Sequence, residues 1–191
     1  MNYKNVDARL LKINKNELMA RLSMPTLADD DFSDLYDLLI LEAKPAYAAT
    51  RVPIMRDNGG IVVGYVKTES RALAEFSNGA TSYIALVATL GVGVDRLILK
   101  ASKTSSVNAF IIDAMADALI EALCDYAESE LCKGLDAKGR FSPGYADLEL
   151  SVGYEILSLC KAEKTLGIKV TESGLMVPKK SVNALIAVKE V

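Results

Sequence analysis

The sequence of 191 residues contains no histidine and no tryptophan. Without histidine, the chain has no imidazole to bind a metal ion or to act as a base beside a serine or cysteine nucleophile. Its three cysteines, Cys124, Cys132 and Cys160, match neither a disulfide framework nor a metal-binding Cys-x-x-Cys pair. We therefore expect no catalytic residue of these kinds, no bound metal, and buried or idle thiols of a cytoplasmic protein.

Long hydrophobic runs and an excess of positive charge are also missing. The longest apolar stretch, 83–94, is interrupted by glycines and is too short to span a bilayer, and no signal peptide is indicated at the N-terminus. The formal net charge is −3, which argues against nucleic acid or an anionic membrane as the main partner. With 51% hydrophobic residues, the chain has enough apolar surface for one soluble domain.

Helical and strand patterns both occur along the chain, which favours a single α+β domain. Asn58-Gly59-Gly60 between two apolar runs indicates a hairpin, and the run 83–90 is typical of a buried strand. The other expected elements are a helix from Asn14 or Asn16 to 22, a helix from the acids 29–31 to 42, a helix capped by Thr68 or Ser70 through 76, a helix over 151–160, and strands over 51–55, 61–66, 169–173 and 182–188.

The glycine-rich segment Gly91-Val92-Gly93 directly follows the run 83–90 and has two interpretations. A glycine turn after a buried strand is typical of dinucleotide-binding sites, but only two of the three fingerprint glycines are present. The alternative is a tight turn from a strand into a helix.

One long helix is indicated from a cap at residues 104–106 to Cys132, about 40 Å at 1.5 Å per residue. It separates an apolar side from an acidic stripe, and no lysine or arginine lies between 104 and 132. The stripe is either a solvated face or a surface that meets a cation from elsewhere, such as Arg140, another chain or a ligand. It consists of Asp113, Asp117, Glu121, Asp125 and Glu128.

The segment 139–145 follows that helix and combines Arg140 with the turn-forming pair Pro143-Gly144. A turn can expose backbone N–H groups, and the arginine fork fits a carboxylate or a phosphate. The alternative is a connector between helices in which Arg140 pairs with a nearby acid.

Several segments resemble the activation domain of cobalamin-dependent methionine synthase. They are Arg140-Phe141-Ser142-Pro143-Gly144-Tyr145, the stretch 170–178 with its Thr-Glu-Ser start, Ser181-Val182 and the helical segment 116–122. Thr89-Leu90-Gly91 and Asp95-Arg96 resemble small stand-alone relatives of that domain. The resemblance covers about residues 80–190, and residues 1–60 have no recognised counterpart. We expect residues 1–191 to form one such domain.

The resemblance implies a C-shaped α+β fold around a bent, mainly antiparallel sheet flanked by helices. It also implies binding of S-adenosylmethionine, which is presented to an oxidised cobalamin held by a partner protein. One electron from a flavodoxin-like donor and the methyl group then restore methylcobalamin. Matched by motif, Glu121 and Arg140 are the polar clamps of the ligand, and Ser142, Gly144 and Tyr145 form the turn beside them. Glu128, nearer the helix end, is expected to take no part in binding.

Two departures from the family pattern limit what the resemblance implies. Ala146-Asp147-Leu148 replaces the family's Pro-Ala-Cys after Pro-Gly-Tyr, and the family's further binding residues after the Ser-Val strand have no counterpart here. The cobalamin, substrate and homocysteine modules are also absent from these 191 residues. We therefore expect an accessory protein for a separate corrinoid protein or methionine synthase core. The alternatives are an interaction module that docks a corrinoid protein without S-adenosylmethionine, and an unrelated small-molecule enzyme.

Overall fold

The protein is described by a computed structural model that covers residues 1–24, 32–57, 59–172 and 174–191. Its strands are β1 (Asn2–Asn5), β2 (Ala46–Pro53), β3 (Met55–Asp57), β4 (Gly60–Val63), β5 (Val66–Thr68), β6 (Ser82–Thr89), β7 (Leu135–Phe141), β8 (Lys169–Val170), β9 (Met176–Val177) and β10 (Ser181–Glu190). Five of them form one antiparallel sheet in the order β1-β2-β6-β10-β7. All eight residues of the central strand β6 are buried, because helices cover both faces of the sheet.

The helices are α1 (Lys15–Leu22), α2 (Ser33–Glu42), α3 (Arg71–Phe76), α4 (Val92–Ser102), α5 (Ser106–Leu131), α6 (Ser151–Leu159) and α7 (Ala162–Leu166), with a short 3-10 turn at Ala8–Leu10. One core lies between the sheet and α1, α2, α4 and α5, and a second lies between its other face and α3, α6 and α7. The predicted fold, an antiparallel sheet flanked by helices, is confirmed.

Side-chain caps fix the helix starts that the sequence indicates. Asn14 accepts hydrogen bonds from the N–H groups of Asn16 and Glu17, Ser70 accepts one from Leu73, and Ser105 accepts one from Asn108. The predicted starts of α1, α3 and α5 are therefore confirmed. The acids 29–31, expected at the start of the second helix, lie outside the described residues.

Several strand boundaries differ from the predictions, because hydrogen-bonded pairing with a neighbouring strand determines where each strand ends. The run 51–55 is divided between β2, which pairs with β6, and β3, which forms the hairpin with β4. The run 61–66 is divided by a turn at Gly64 into β4 and β5. Of the expected strand 169–173, residues 169 and 170 form β8, residues 171 and 172 do not extend it, and residue 173 lies outside the described residues. The last strand is longer than predicted. Because both neighbours of β6 are antiparallel to it, the dinucleotide interpretation of Gly91-Val92-Gly93 is wrong, and the tight turn into α4 is confirmed.

A bulge in the edge strand β7 places Arg140. Ile186 of β10 pairs with Arg140 and Val188 pairs with Ala137, so β7 carries an extra residue between them. Gly139 in this bulge has a φ of 76°, a conformation that other residues rarely adopt. Phe141 then packs into the core on the α6 side, whereas Arg140 reaches α5 on the opposite face.

Candidate functional site

Arg140 contacts three carboxylates on one side of α5. Its Nη2 donates to Glu121 Oε2 at 3.1 Å, and its Nη1 lies 2.8 Å from both Asp125 Oδ1 and Glu128 Oε2. The acids sit four and three residues apart, so successive turns of the helix present them to one guanidinium. We call Arg140, Glu121, Asp125 and Glu128 the Arg140 cluster. It confirms that the acidic stripe meets a cation from elsewhere, and the solvated-face interpretation is wrong for these residues.

The members of the Arg140 cluster differ in exposure. The side chains of Arg140 and Glu128 are 19% and 25% exposed, whereas that of Asp125 is 72% exposed. Burial lowers the pKa of Arg140, but the hydrogen bond to Asp125 and the negative charges around it outweigh burial and raise that pKa overall. Arg140 is therefore held as a permanent cation, and Asp125 is the partner that a ligand can replace most easily.

The turn that follows Arg140 in the chain is closed by its own backbone. The N–H of Gly144 donates to the carbonyl of Leu148 at 2.8 Å, and that of Tyr145 donates to the carbonyl of Ser142 at 3.1 Å. The turn is confirmed, with a φ of 86° at Gly144, but the expectation of free N–H groups is wrong at Gly144 and Tyr145. The turn instead offers the Ser142 hydroxyl and the exposed ring of Tyr145, which packs edge-on against Phe141.

Asp147, one of the departures from the family pattern, ties this turn to the start of α3. Its carboxylate accepts hydrogen bonds from Ser70 Oγ at 2.5 Å, from the N–H of Arg71 at 2.8 Å and from that of Ala72 at 3.2 Å. A carboxylate at the positive end of a helix is a favourable arrangement. The hydrogen bond from Ser70, followed by those from the backbone, holds the pKa of Asp147 below its usual value.

A second group of charges occupies the other half of the acidic stripe. Lys180 Nζ lies 2.8 Å from Asp113 Oδ1 and 2.6 Å from Asp117 Oδ1, and Arg21 Nη1 lies 3.2 Å from Asp117 Oδ2. Arg21 also pairs with Glu17 on its own helix. We call these five residues the Lys180 cluster. Sequence reasoning missed Lys180 and Arg21, although the lack of basic residues in α5 signals that its acids need distant cations.

The cysteines lie apart from one another. Cys124 and Cys160 are buried and Cys132 is partly buried, all three as free thiols. Burial raises the pKa of Cys124 and of Cys160 to about 12, so neither is a thiolate at neutral pH. The expectation of buried or idle thiols is thus confirmed for these two, and the absence of metal stays a prediction. Among the described helices, none combines the length and apolar character needed to cross a bilayer.

The chemistry that the Arg140 cluster offers is recognition of opposite charges at close range. A guanidinium fork binds a carboxylate in two places, and the acids around it can accept hydrogen bonds from an ammonium group. A ligand carrying both groups on one carbon atom would meet both partners here. Of the predicted site residues, the structure brings Glu121 and Arg140 into contact and places Ser142, Gly144 and Tyr145 directly after Arg140 in the chain.

Comparison with known proteins adds two findings. A family profile described as vitamin B12-dependent methionine synthase, activation domain, matches residues 37–190. The fold is similar to that in a crystal structure of the MetH reactivation domain bound to AdoHcy, with a TM-score of 0.77 and 19% sequence identity. That superposition covers 97% of this chain and 77% of the other. No curated protein has a significant sequence match to the chain.

Proposed function

The chain belongs to the vitamin B12-dependent methionine synthase activation-domain family, and from this premise we propose that it binds S-adenosylmethionine and supports reductive re-methylation of a separate corrinoid protein. The observation that carries the proposal is the contact of Arg140 with Glu121, Asp125 and Glu128. The turn with Ser142, Gly144 and Tyr145 follows Arg140 in the chain. A relative of similar fold was crystallised with AdoHcy, the demethylated form of this ligand. We further propose that residues 1–191 act as one activation-domain unit.

The formal charge of the cluster suits this ligand. Three carboxylates against one guanidinium leave a charge of −2, whereas S-adenosylmethionine carries one net positive charge. We propose that the ligand carboxylate takes the place of the exposed Asp125 on Arg140, and that Glu121 accepts hydrogen bonds from the ligand ammonium. The charge-assisted bonds that are lost inside the protein are then replaced by bonds of the same kind to the ligand.

The protein's part in the reaction is to bind and orient the methyl donor. S-adenosylmethionine supplies the methyl group, and the corrinoid is held by the partner, a corrinoid protein or a methionine synthase core. In this proposal a flavodoxin-like protein supplies the electron. Arg140 and Glu121 hold the amino-acid end of the ligand, while Ser142 and the turn with Gly144 and Tyr145 lie beside it. None of these side chains has to accept or donate a proton during methyl transfer.

Calorimetric titration with S-adenosylmethionine tests the proposal. Removing a charged hydrogen-bond partner costs about 1.5–3 kcal/mol, which corresponds to an affinity loss of roughly 10- to 150-fold for Arg140→Ala. Far-ultraviolet circular dichroism of both proteins establishes that the variant is folded. Wild-type protein that gives no binding signal at high micromolar ligand, or a folded variant that binds equally well, would contradict the proposal.

One observation favours a second candidate function. Three carboxylates of α5 already pair with the Arg140 guanidinium, as expected of an interaction module that keeps the fold and docks a corrinoid protein without S-adenosylmethionine. Titration of a cobalamin-loaded corrinoid protein into this chain, with and without S-adenosylmethionine, separates the two functions. The module binds equally in both cases, whereas the proposed reactivation protein does not.

A further inference from the structure

Helices α2 and α4 lie side by side and carry charges of opposite sign. The two helices pack together on the outside of the core, and a Cβ atom at Gly93 of α4 would collide with the carbonyl oxygen of Glu42 at the end of α2. The acids Asp34, Asp37 and Glu42 lie on α2, and the bases Arg96 and Lys100 lie on α4, with Lys103 directly after it. The one acid of α4, Asp95, is partly buried and accepts a hydrogen bond from the backbone N–H of Lys179. We call these two helices with Lys103 the α2–α4 face.

The six charges of the α2–α4 face have no ion-pair partner within the part of the chain that the structure describes. This separates them from the acids of α5, which are paired with Arg140, Lys180 and Arg21. All six are exposed. Their arrangement, acids on one helix and bases on the next, produces a surface with a negative half and a positive half.

Apolar side chains lie between and beside these charges. A cleft of about 500 Å³ runs between α2, α4 and the start of α5, and its apolar lining is Leu35, Leu38, Leu97, Ala101 and Ile112. Glu42, Arg96 and Lys100 lie at the same cleft. Leu38, which lines this cleft, is 45% exposed. An exposed leucine at an apolar cleft can pack against the same surface of a second copy.

We propose that the α2–α4 face binds a second copy of this chain around a twofold axis. In such a dimer the same patch meets itself, so a patch suits it only if it is self-complementary. The acidic α2 of one protomer then faces the basic α4 of the other, and Leu38 of each protomer packs against the cleft of its partner. Every unpaired charge on the face gains an opposite neighbour, and this is the reason that a second copy fits better than a uniformly acidic or basic partner.

The size of the face sets the expected strength. Two helices of 10 and 11 residues, each about 10 Å across, give a face of about 15 Å by 20 Å. This is small beside the roughly 800 Å² per partner of stable complexes. We therefore expect a weak dimer that forms only at high micromolar concentration and that weakens further as salt screens the charges.

Charge reversal on one helix at a time gives the decisive experiment. The acid-reversed variant is Asp34→Lys with Asp37→Lys, and the base-reversed variant is Arg96→Glu with Lys100→Glu. Each variant alone places like charges opposite each other at both contacts of the dimer. Sedimentation equilibrium from about 1 μM to about 1 mM, a range chosen for an interface of this size, should show a dimer for wild type. For each variant we expect the dissociation constant of the dimer to rise at least about 100-fold.

An equal mixture of the two variants should restore the dimer. In the mixed pair, lysines on α2 of one protomer face glutamates on α4 of the other, and the second contact is the wild-type one. This rescue cannot occur if either variant is unfolded or if the surface meets some other partner. A monomeric wild type over the whole range, reversals without effect, or a mixture that stays monomeric each overturns the proposal.

The inference stands apart from the proposed ligand site. Neither variant changes a residue of the Arg140 cluster, so titration of each with S-adenosylmethionine should give the wild-type affinity. A failed dimer with intact ligand binding overturns only the α2–α4 interface. A confirmed dimer with no ligand binding overturns only the proposed function.

Discussion

The two charged clusters on α5 use the same helix stripe in different ways. In the Lys180 cluster, two cations from distant parts of the chain, Lys180 and Arg21, meet Asp113, Asp117 and Glu17. In the Arg140 cluster, a single cation meets three acids. The formal charge that remains is −1 in the first and −2 in the second, and the second includes an acid that is 72% exposed.

This difference indicates a structural role for the Lys180 cluster and agrees with the binding role that we propose for the Arg140 cluster. The Lys180 side chain is only 11% exposed and also donates to the backbone carbonyl of Asp113, so it joins the segment before β10 to α5. Arg21 similarly joins α1 to α5. The Arg140 cluster keeps a formal charge of −2. The periodicity of acids along a helix is thus the same in both halves, and the partners of the acids decide what each half does.

The largest effect that sharpens this comparison is expected at Lys180. Replacing it with methionine leaves Asp113 and Asp117 without their closest cation in a largely buried position. Breaking a buried pair costs about 3–5 kcal/mol, and because both acids are partly exposed we expect about 3 kcal/mol here. Urea unfolding measures this loss. Arg21→Gln, a change at a more exposed pair, is the matched control and should cost at most about 1 kcal/mol.

The same Lys180→Met protein should bind S-adenosylmethionine within about twofold of wild type, because Lys180 contacts Asp113 and Asp117 and pairs with no member of the Arg140 cluster in the described residues. A normal unfolding midpoint together with weakened binding would reverse the roles assigned to the two clusters.

How far the sequence predicts this arrangement depends on sequence distance. The limits of α5 follow from its local cap at Ser105, and the acidic stripe follows from periodicity. The cations that pair with the stripe do not follow from any local pattern, because Lys180 lies 63 residues from Asp117 and Arg21 lies 96 residues from it. The stripe names Arg140 only as one of several candidate cations, and the family resemblance alone pairs Arg140 with Glu121 in advance.

Local patterns also fail where an edge strand changes partner. The apolar run 51–55 predicts one strand. In the structure, Ile54 separates β2 from β3 and donates its N–H to the carbonyl of Thr81. Similarly, no local apolar pattern predicts the bulge at Gly139, yet this bulge determines that Arg140 faces α5. Spacing places Glu128 on the acidic stripe and the family resemblance gives it no part in binding, whereas the structure places it 2.8 Å from Arg140. It is therefore no longer a clean control for Glu121.

The second expected effect concerns binding at Glu121. Glu121→Gln keeps the shape of the side chain and removes its charge, so the ligand ammonium loses a charged partner. We expect a loss of about 2 kcal/mol, which is roughly 30-fold in affinity for S-adenosylmethionine. Asp117→Asn, on the same stripe but in the Lys180 cluster, is the control and should leave affinity unchanged. Equal affinities for both variants in calorimetry would remove Glu121 from the site.

A smaller effect is expected at Asp125, because its carboxylate contributes to the formal charge of −2 of the Arg140 cluster. The −2 charge of the Arg140 cluster should favour S-adenosylmethionine over S-adenosylhomocysteine, which lacks the sulfonium charge. Because Asp125 is exposed, Asp125→Asn should reduce this preference by only a few-fold, in line with the small worth of exposed charge pairs. The preference of wild type should also fall as salt is raised. A ratio of the two affinities that does not change with salt would show that surplus charge has no part in selectivity.

The smallest effect is expected at Asp147, which anchors the turn that follows Arg140 in the chain. The Lys180 cluster has no such neighbouring turn among the residues that define it. Its pKa is lowered in the folded protein by the hydrogen bond from Ser70 and those from the backbone of α3. A carboxyl whose pKa is lower when folded stabilises the protein above its unfolded value, near 3.9, and this stabilisation disappears as pH falls through the folded pKa. Asp147→Asn should therefore lower the urea midpoint near neutral pH, and the difference from wild type should shrink below about pH 4.

Asp136→Asn, at an exposed position of β7 without a hydrogen bond to its side chain in the described residues, is the control and should show no such pH dependence. If the Asp147→Asn difference is the same at both pH values, the carboxylate charge does not hold the turn, and the anchoring comes from shape alone.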